Sequence, residues 1–124
     1  MSLAEYFEKT TGIGVLATAD GKGKVDAAVY ARPHVQDETN VAFIMSDKLS
    51  HKNLQTNPSA VYLFVEKGQG HVGKRLYLTK VREETSPAAI DAMSRRQRCD
   101  CRVEGESYLV YFKVDTVRPL IGDK

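Results

Sequence analysis

The stretch from Val25 to Pro58, VDAAVYARPHVQDETNVAFIMSDKLSHKNLQTNP, carries the strongest local signals in this sequence. It predicts a long strand, a return strand and then a short helix that opens on Ser50-His51-Lys52. Pro58 ends that helix, because the residue before a proline disfavours the helical conformation. Ser50 is the expected cap, since its hydroxyl can accept a hydrogen bond from an amide of the first turn.

The beginning of this helix has the chemistry of an anion-binding site. The amides of a first helical turn have no partner inside the helix and carry a partial positive charge, which suits a phosphate. Lys52 adds a cation and His51 a further donor, while the preceding strand end, Arg32-Pro33-His34-Val35, brings a second cation. The alternative is an ordinary capped surface helix whose basic side chains are solvated.

Length and composition limit the classes of protein that this chain can be. With 124 residues it is long enough for one hydrophobic core, so we expect a single domain over residues 1–124. Its 18 basic and 16 acidic residues give a net charge of only +2, which argues against nucleic acid or an anionic membrane as a partner. No apolar run approaches the roughly 20 residues that cross a bilayer, and the first residues do not resemble a signal peptide. A cytoplasmic protein is expected.

The segment around residues 95–102 combines two cysteines with four arginines. Cys99 and Cys101 are separated by one residue, which is poor geometry for a disulfide between them. They lack a second Cys or His pair at the spacing of a zinc site, so no metal site is predicted. The arginines are best explained as solvated side chains at a helix end, stabilised by the helix dipole. They are Arg95, Arg96, Arg98 and Arg102.

The rest of the pattern predicts a mainly β chain. Gly68-Gln69-Gly70-His71-Val72-Gly73 matches the glycine spacing of a dinucleotide-binding loop, but strand-like alternation follows where that motif needs a helix, so we expect a hairpin loop. Ser2 and Glu5 form a capping box for a first helix, and Ser86-Pro87 opens a third. The predicted strands are Gly12–Ala19, Lys24–Val35, Val41–Met45, Ala60–Glu66, Lys74–Val81 and Tyr108–Val117. Six strands with hairpin spacing indicate a small antiparallel β-barrel with short helices at its ends.

Three features of the central stretch resemble one known family. They are the strand that ends in Arg32-Pro33-His34-Val35, the turn after Phe43-Ile44-Met45, and the segment from Ser50 to Pro58 that leads directly into the strand from Ala60. This order is similar to that of the pyridoxamine 5'-phosphate oxidase-like family of FMN-binding split barrels, over residues 12–84. The resemblance implies a six-stranded antiparallel split barrel that binds FMN.

The resemblance also implies where FMN would bind. Its phosphate would lie at the opening of the short helix with help from Arg32, and its ring would lie along the long strand and beside the turn. The implied cofactor-binding residues are Tyr30, Ala31, Arg32, Pro33, His34, Val35, Ile44, Met45, Ser50, His51 and Lys52. Arg32 is also the candidate cation that would stabilise a reduced flavin, although a salt bridge from Arg32 to Asp26 or Glu38 is an alternative. No catalytic residue is implied.

The function that the resemblance implies is redox chemistry with a cofactor. In related split barrels a second subunit completes the cofactor pocket, which implies a homodimer. True pyridoxamine phosphate oxidases carry a C-terminal segment with arginine and histidine, whereas this sequence ends in Pro119-Leu120-Ile121-Gly122-Asp123-Lys124, so that oxidase activity is not expected. The leading prediction is an FMN-dependent oxidoreductase that acts on a small acceptor. The alternatives are a non-catalytic flavin-binding electron carrier or sensor, and a haem-binding split barrel that uses one of the histidines.

Overall fold

A computed structural model of the protein describes residues 2–46, 48–68, 70–85 and 107–122. Within these ranges the chain forms two helices and seven strands. The helices are α1 (Leu3–Lys9) and α2 (Leu49–Thr56), and the strands are β1 (Gly12–Ala19), β2 (Val25–Val29), β3 (His34–Asp37), β4 (Asn40–Ser46), β5 (Ser59–Glu66), β6 (Gly73–Glu84) and β7 (Ser107–Pro119). The predicted third helix, over Ala88–Arg98, lies outside the described residues, as do the two cysteines and the arginines beside them. Neither described helix has the length and apolarity needed to cross a membrane.

The seven described strands form one antiparallel sheet with the order β2-β1-β5-β6-β7-β4-β3. The two edge strands, β2 and β3, are joined in sequence by residues 30–33 alone. That connection can span at most about 18 Å, whereas seven strands side by side in a flat sheet would extend over about 29 Å. The sheet must therefore curl so that its edges approach each other. The prediction of a mainly β, antiparallel split barrel is confirmed.

The predicted long strand over Lys24–Val35 is in fact two strands, which is why the described sheet has seven strands and not six. β2 ends at Val29 and β3 begins at His34. Pro33 has no amide hydrogen and cannot donate to a strand ladder. The amide of Tyr30 still bonds to the carbonyl of Gly14 at 2.9 Å, just beyond the end of β2. The break lets the chain leave one edge of the sheet and begin the other.

Aromatic and aliphatic side chains fill the interior of the curled sheet. Tyr62 and Phe64 of β5 are completely buried, and the ring centroid of Phe43 lies 5.0 Å from that of Tyr62. α1 packs three side chains against this core. They are Leu3, Tyr6 and Phe7. In the part of the chain that the structure describes, the interior is therefore a packed core.

Two local predictions away from the central stretch are confirmed. The Ser2 hydroxyl accepts a hydrogen bond from the amide of Glu5 at 3.2 Å, so it caps α1. The glycine-rich segment connects β5 to β6 as a hairpin, in which Gly68 and Gly70 have φ angles of 128° and 99°. Because β6 begins at Gly73, a strand and not a helix follows these glycines, and the dinucleotide interpretation of the motif does not apply.

Candidate functional site

α2 begins earlier than predicted, and its cap is not Ser50. The cap residue is Lys48, whose side chain makes no capping hydrogen bond, and the first turn contains no acidic residue. Ser50 lies inside the helix, where it is buried and its hydroxyl bonds with that of Tyr30. The expectation of a serine cap is therefore wrong, because tertiary packing engages this hydroxyl. The amides at the start of α2 donate no hydrogen bond to the side chain of their cap residue.

Two exposed lysines flank these amides. Lys48 and Lys52 are four residues apart, so their side chains lie on the same side of the helix. The Lys52 amide bonds to the Lys48 carbonyl at 3.0 Å, which closes the turn. Their charges add to the partial positive charge of the helix amino terminus. Residues 48–52, called the α2 turn below, thus have the electrostatics of an anion-binding site.

His51 does not share the exposed surface of Lys52. Successive helical residues point about 100° apart, and His51 is turned inward, with only 6% of its surface exposed. Its ring stacks on that of Tyr108 with centroids 3.9 Å apart and planes at 14°. Its Nε2 lies 3.0 Å from Oε2 of Glu83. The structure therefore separates the two residues that the Ser50-His51-Lys52 motif was expected to present together.

Glu83 of β6 is the centre of a small polar network behind the α2 turn. Its Oε1 accepts from Nζ of Lys80 at 2.6 Å and from Nε2 of Gln55 at 3.0 Å. Burial alone would raise the pKa of Glu83, but hydrogen bonds from Lys80, Gln55 and His51 outweigh it and lower that pKa to about 2. Glu83 is thus a carboxylate at neutral pH, and its donors join α2 to β6.

This network predicts an acid-dependent contribution to stability. The pKa of Glu83 falls from an ordinary value of 4.5 to about 2 on folding, so its carboxylate stabilises the fold above pH 4.5, and that contribution is lost as the pH falls toward 2. Glu83→Gln should therefore lower the melting temperature at pH 7, and the gap to the wild type should narrow as the pH falls through this window. Thermal melts of both proteins across that range check this. A gap of constant size at every pH would contradict it.

Two clefts flank the α2 turn. The first, called the β6-side cleft, has a volume of about 680 Å³ and is lined by Lys48, Leu49, His51, Lys52, Gln55, Glu83 and Tyr108. The second, called the hairpin cleft, has a volume of about 490 Å³ and lies between α2 and the β1–β2 hairpin. Leu49 and Lys52 line both clefts. A ligand held at the α2 turn could therefore extend to either side.

The residues predicted to face a flavin ring do not all have accessible side chains. Pro33 is buried and Met45 is completely buried in the core. Tyr30 and Val35 pack against the core but remain partly exposed. Ala31, His34 and Ile44 are half-buried. Contacts from this segment to a ring would therefore come from its backbone and its partly exposed side chains, and not from the side chain of Met45.

Arg32 is engaged inside the protein. Its Nη1 donates to the carbonyl oxygens of Phe7 at 2.6 Å and Thr10 at 3.0 Å. These carbonyls lie at the C-terminal end of α1, where carbonyl groups without a partner inside the helix commonly accept hydrogen bonds from arginine side chains. Glu38, one of its predicted alternative partners, accepts instead from the amide of Leu3 at 2.8 Å. Arg32 thus ties residues 30–33 to the end of α1.

Sequence reasoning did not place Lys48, Gln55, Glu83 or Tyr108 beside the α2 turn. The position of Lys48 could have been predicted from its four-residue spacing to Lys52, because this spacing puts both lysines on one helical face. No local pattern points to the others. Glu83 and Tyr108 belong to β6 and β7, and the curl of the sheet is what brings them to α2.

No family model matches the chain, and no curated protein matches it in sequence. Solved structures do match, and they include FMN-binding and pyridoxamine 5'-phosphate oxidase-like proteins. The chain therefore has the split-barrel fold of these proteins, and the resemblance seen over residues 12–84 is confirmed at the level of the fold.

Three of these structures show the range of the similarity. An FMN-binding protein from Syntrophomonas wolfei subsp. wolfei gives a TM-score of 0.81 at 14% identity, over 99% of this chain and 86% of that one. A candidate pyridoxamine 5'-phosphate oxidase from Lactobacillus delbrueckii gives 0.68 at 14% identity, over 93% and 88%. A haem-binding protein from Mycobacterium smegmatis gives 0.60 at 20% identity, over 95% of this chain and 52% of that one. At identities this low the similarity establishes the fold and not the ligand.

Proposed function

We propose that this protein binds FMN with the phosphate at the α2 turn, and that it is a flavin-dependent oxidoreductase. The observation that carries the proposal is the α2 turn itself, whose amides donate no hydrogen bond to the side chain of their cap residue and whose first turn has no acidic residue. A phosphate dianion would accept hydrogen bonds from these amides and from the exposed Lys48 and Lys52. The fold supports the same ligand, because an FMN-binding protein shares it.

The chemistry around the turn fits a flavin nucleotide. The β6-side cleft, at about 680 Å³, lies within the usual range for small-molecule pockets of about 300–1,000 Å³. Leu49, which is 52% exposed, and the partly exposed Tyr108 offer apolar and aromatic surface beside the lysines. The Glu83 carboxylate is already hydrogen-bonded to its own donors, which reduces its repulsion of a phosphate. The β6-side cleft thus offers cationic surface for the phosphate and adjoining apolar surface for the nearest part of the nucleotide.

In this proposal the ring lies along Tyr30–Val35 and beside Ile44, as the resemblance implies. These residues include the irregular connection between the two sheet edges. The connection contacts α2 because the hydroxyl of Tyr30 is hydrogen-bonded to that of Ser50. Arg32 then acts by holding the connection to α1. It does not need to contact the phosphate.

Bound FMN would supply electron transfer to a small acceptor. The chain's own residues would bind the phosphate, orient the ring and shape access to it. The same site would serve a non-catalytic electron carrier or sensor, which would bind FMN equally well but turn over no acceptor. Haem is a further candidate, since a haem-binding protein shares the fold.

Spectroscopy on the purified protein tests the proposal. Added FMN should bind in a saturable manner, and binding should quench the flavin fluorescence and shift the visible absorption bands of the flavin. Reduction of the bound flavin followed by reoxidation with added acceptors separates an enzyme from a carrier or sensor. Uptake of haem with no uptake of FMN would replace the proposal by the haem alternative. A folded protein that binds neither would refute both.

The outer face of the sheet supports the proposed homodimer. In one row across three strands, Val29 of β2 pairs with Val15 of β1, which pairs with Leu63 of β5. Side chains alternate along a strand, so this row lies on the face opposite the core. Val29 is 75% exposed. A continuous apolar face of this kind marks an interaction site, and in this proposal a second copy of the chain covers it.

Val29→Lys should abolish the dimer and leave the fold intact. The valine is exposed on an edge strand of the single chain, so the change costs the monomer little, whereas a dimer would have to bury the ammonium group. Sedimentation velocity should show a dimer for the wild type and a monomer for the variant, with the same circular dichroism spectrum. Val81→Lys, at a 60% exposed position of β6, is the matched control and should remain dimeric. A monomeric wild type would remove the dimer from the proposal.

A further inference from the structure

The hairpin cleft is not used by the flavin site proposed above. Its walls are the β1–β2 hairpin on one side and the outer surface of α2 on the other, and only Leu49 and Lys52 are shared with the β6-side cleft. Its volume of about 490 Å³ is within the range of small-molecule pockets, about 300–1,000 Å³. It is therefore large enough for a second ligand next to the first.

Three lysines from two elements converge on this cleft. Lys22 and Lys24 come from the hairpin and Lys52 comes from α2. Of the two carboxylates that line the cleft, that of Asp20 is hydrogen-bonded within its own loop, where Oδ1 accepts from the amides of Lys24 at 2.9 Å and Lys22 at 2.8 Å. These hydrogen bonds from backbone amides lower the pKa of Asp20, so its carboxylate is stabilised by its own loop. Lys22 and Lys24 line this cleft and not the β6-side cleft, so their ammonium groups favour an anionic ligand here even when Lys52 binds the FMN phosphate.

Hydrogen bonds between the two walls hold the cleft in shape before any ligand binds. The Gly21 amide donates to Oγ1 of Thr56 at 3.1 Å, and Nδ2 of Asn57 donates to the carbonyl of Asp20 at 3.4 Å. Beneath the cleft, Nδ2 of the buried Asn53 donates to Oγ1 of Thr18 at 3.0 Å. The hairpin is therefore tied to α2, so a ligand need not order it on binding.

The remaining surface of the cleft narrows the class of ligand. Val25, which is 77% exposed, presents apolar surface suited to a flat base. Asp26, half-buried in the same wall, offers a carboxylate that can accept from ribose hydroxyls. Lysines for a phosphate, a carboxylate for a sugar and an apolar wall for a base together match a nucleoside phosphate. We infer that the hairpin cleft is a second site, which binds a nucleoside phosphate beside the flavin site.

Titration with AMP tests this inference, with adenosine and inorganic phosphate as partial ligands. AMP should shift the NMR signals of the amides of Gly21, Lys22, Lys24 and Lys52, and should bind more tightly than either partial ligand. The double variant Lys22→Ala/Lys24→Ala should bind AMP about 100-fold more weakly, since each of the two lost hydrogen bonds to a charged group is worth about 1.5–3 kcal/mol. Lys48→Ala, which changes only the β6-side cleft, is the matched control and should keep its AMP affinity.

Parallel titrations with FMN separate this inference from the proposed flavin site. AMP should bind with FMN present in saturating amounts, and the Lys22→Ala/Lys24→Ala variant should keep its FMN affinity. Displacement of AMP by FMN would mean that there is one site and not two, and would overturn the inference. Absence of AMP binding, equal AMP binding in the double variant, or phosphate binding as tight as that of AMP would each overturn it too, whether or not FMN binds.

Discussion

Replacing Lys48 and Lys52 together with alanine should weaken FMN binding by about 100-fold or more. A hydrogen bond to a charged group contributes about 1.5–3 kcal/mol, so the loss of two costs at least about 3 kcal/mol. Both side chains are exposed in the free protein, which means that their removal should not disturb the core. Quenching of FMN fluorescence at constant ionic strength measures the affinity, and the loss should become smaller as salt is added.

The double variant Lys67→Ala/Lys113→Ala removes the same charge from exposed positions on other parts of the barrel and is the matched control. It should bind FMN as the wild type does. Equal affinity in all three proteins would show that the α2 turn does not hold the phosphate. Riboflavin, which lacks the phosphate, should bind weakly to all three, so that any remaining difference between them reports on the ring alone.

His51→Ala should behave differently from the lysine variants. Because His51 is buried, stacks on Tyr108 and bonds to Glu83, its removal should lower stability through the contact between α2 and the sheet. Any change in FMN affinity would then follow from a displaced α2 turn, and not from a lost contact with the phosphate. The basic pair His51-Lys52 thus contains one buried, packed side chain and one exposed side chain.

Gly14→Ala should destabilise the fold by about 3 kcal/mol, the upper part of the usual range for overpacking. A Cβ atom at Gly14 would overlap the hydroxyl and the ring of Tyr62. That ring is fully buried, and its hydroxyl donates to the carbonyl of Tyr30 at 3.1 Å, so it cannot move aside without breaking the contact between the core and residues 30–33. The midpoint of urea unfolding, followed by circular dichroism, measures the loss.

Gly21→Ala provides the comparison. A Cβ atom there would meet only Thr56, at 3.5 Å from its Cβ, which is an ordinary contact. Its stability should stay within about 0.5 kcal/mol of the wild type, as for most surface changes. Tyr62→Phe, which removes only the hydroxyl, isolates the contribution of the bond to Tyr30. Equal stability of Gly14→Ala and Gly21→Ala would mean that the ring of Tyr62 is not held as described.

Much of the fold was predictable because it depends on short-range patterns. Alternation predicted β1, β4 and β5 to within a few residues, and the stop signal at Pro58 correctly placed the end of α2. The long strand over Lys24–Val35 was predicted as one element because its alternation continues through Tyr30 and Arg32. Its break depends on where the connection must cross between the two sheet edges, which is a property of the whole barrel.

The candidate site was predictable at one position and not at its surroundings. The anion-binding character of the α2 turn follows from local chemistry, since lysines and free amides at a helix start attract a phosphate in any context. The burial of Ser50 and His51 does not follow from it, because it depends on what packs against that side of the helix.

The sequence by itself determined the order of the elements, the position of α2 and the positive charge at its beginning, because these depend on residues that are neighbours along the chain. The tertiary structure alone decided which side of α2 faces the barrel. Glu83 and Tyr108 reach His51 only because the curled sheet brings β6 and β7 against the helix, and that contact turns His51 inward and leaves Lys48 and Lys52 exposed.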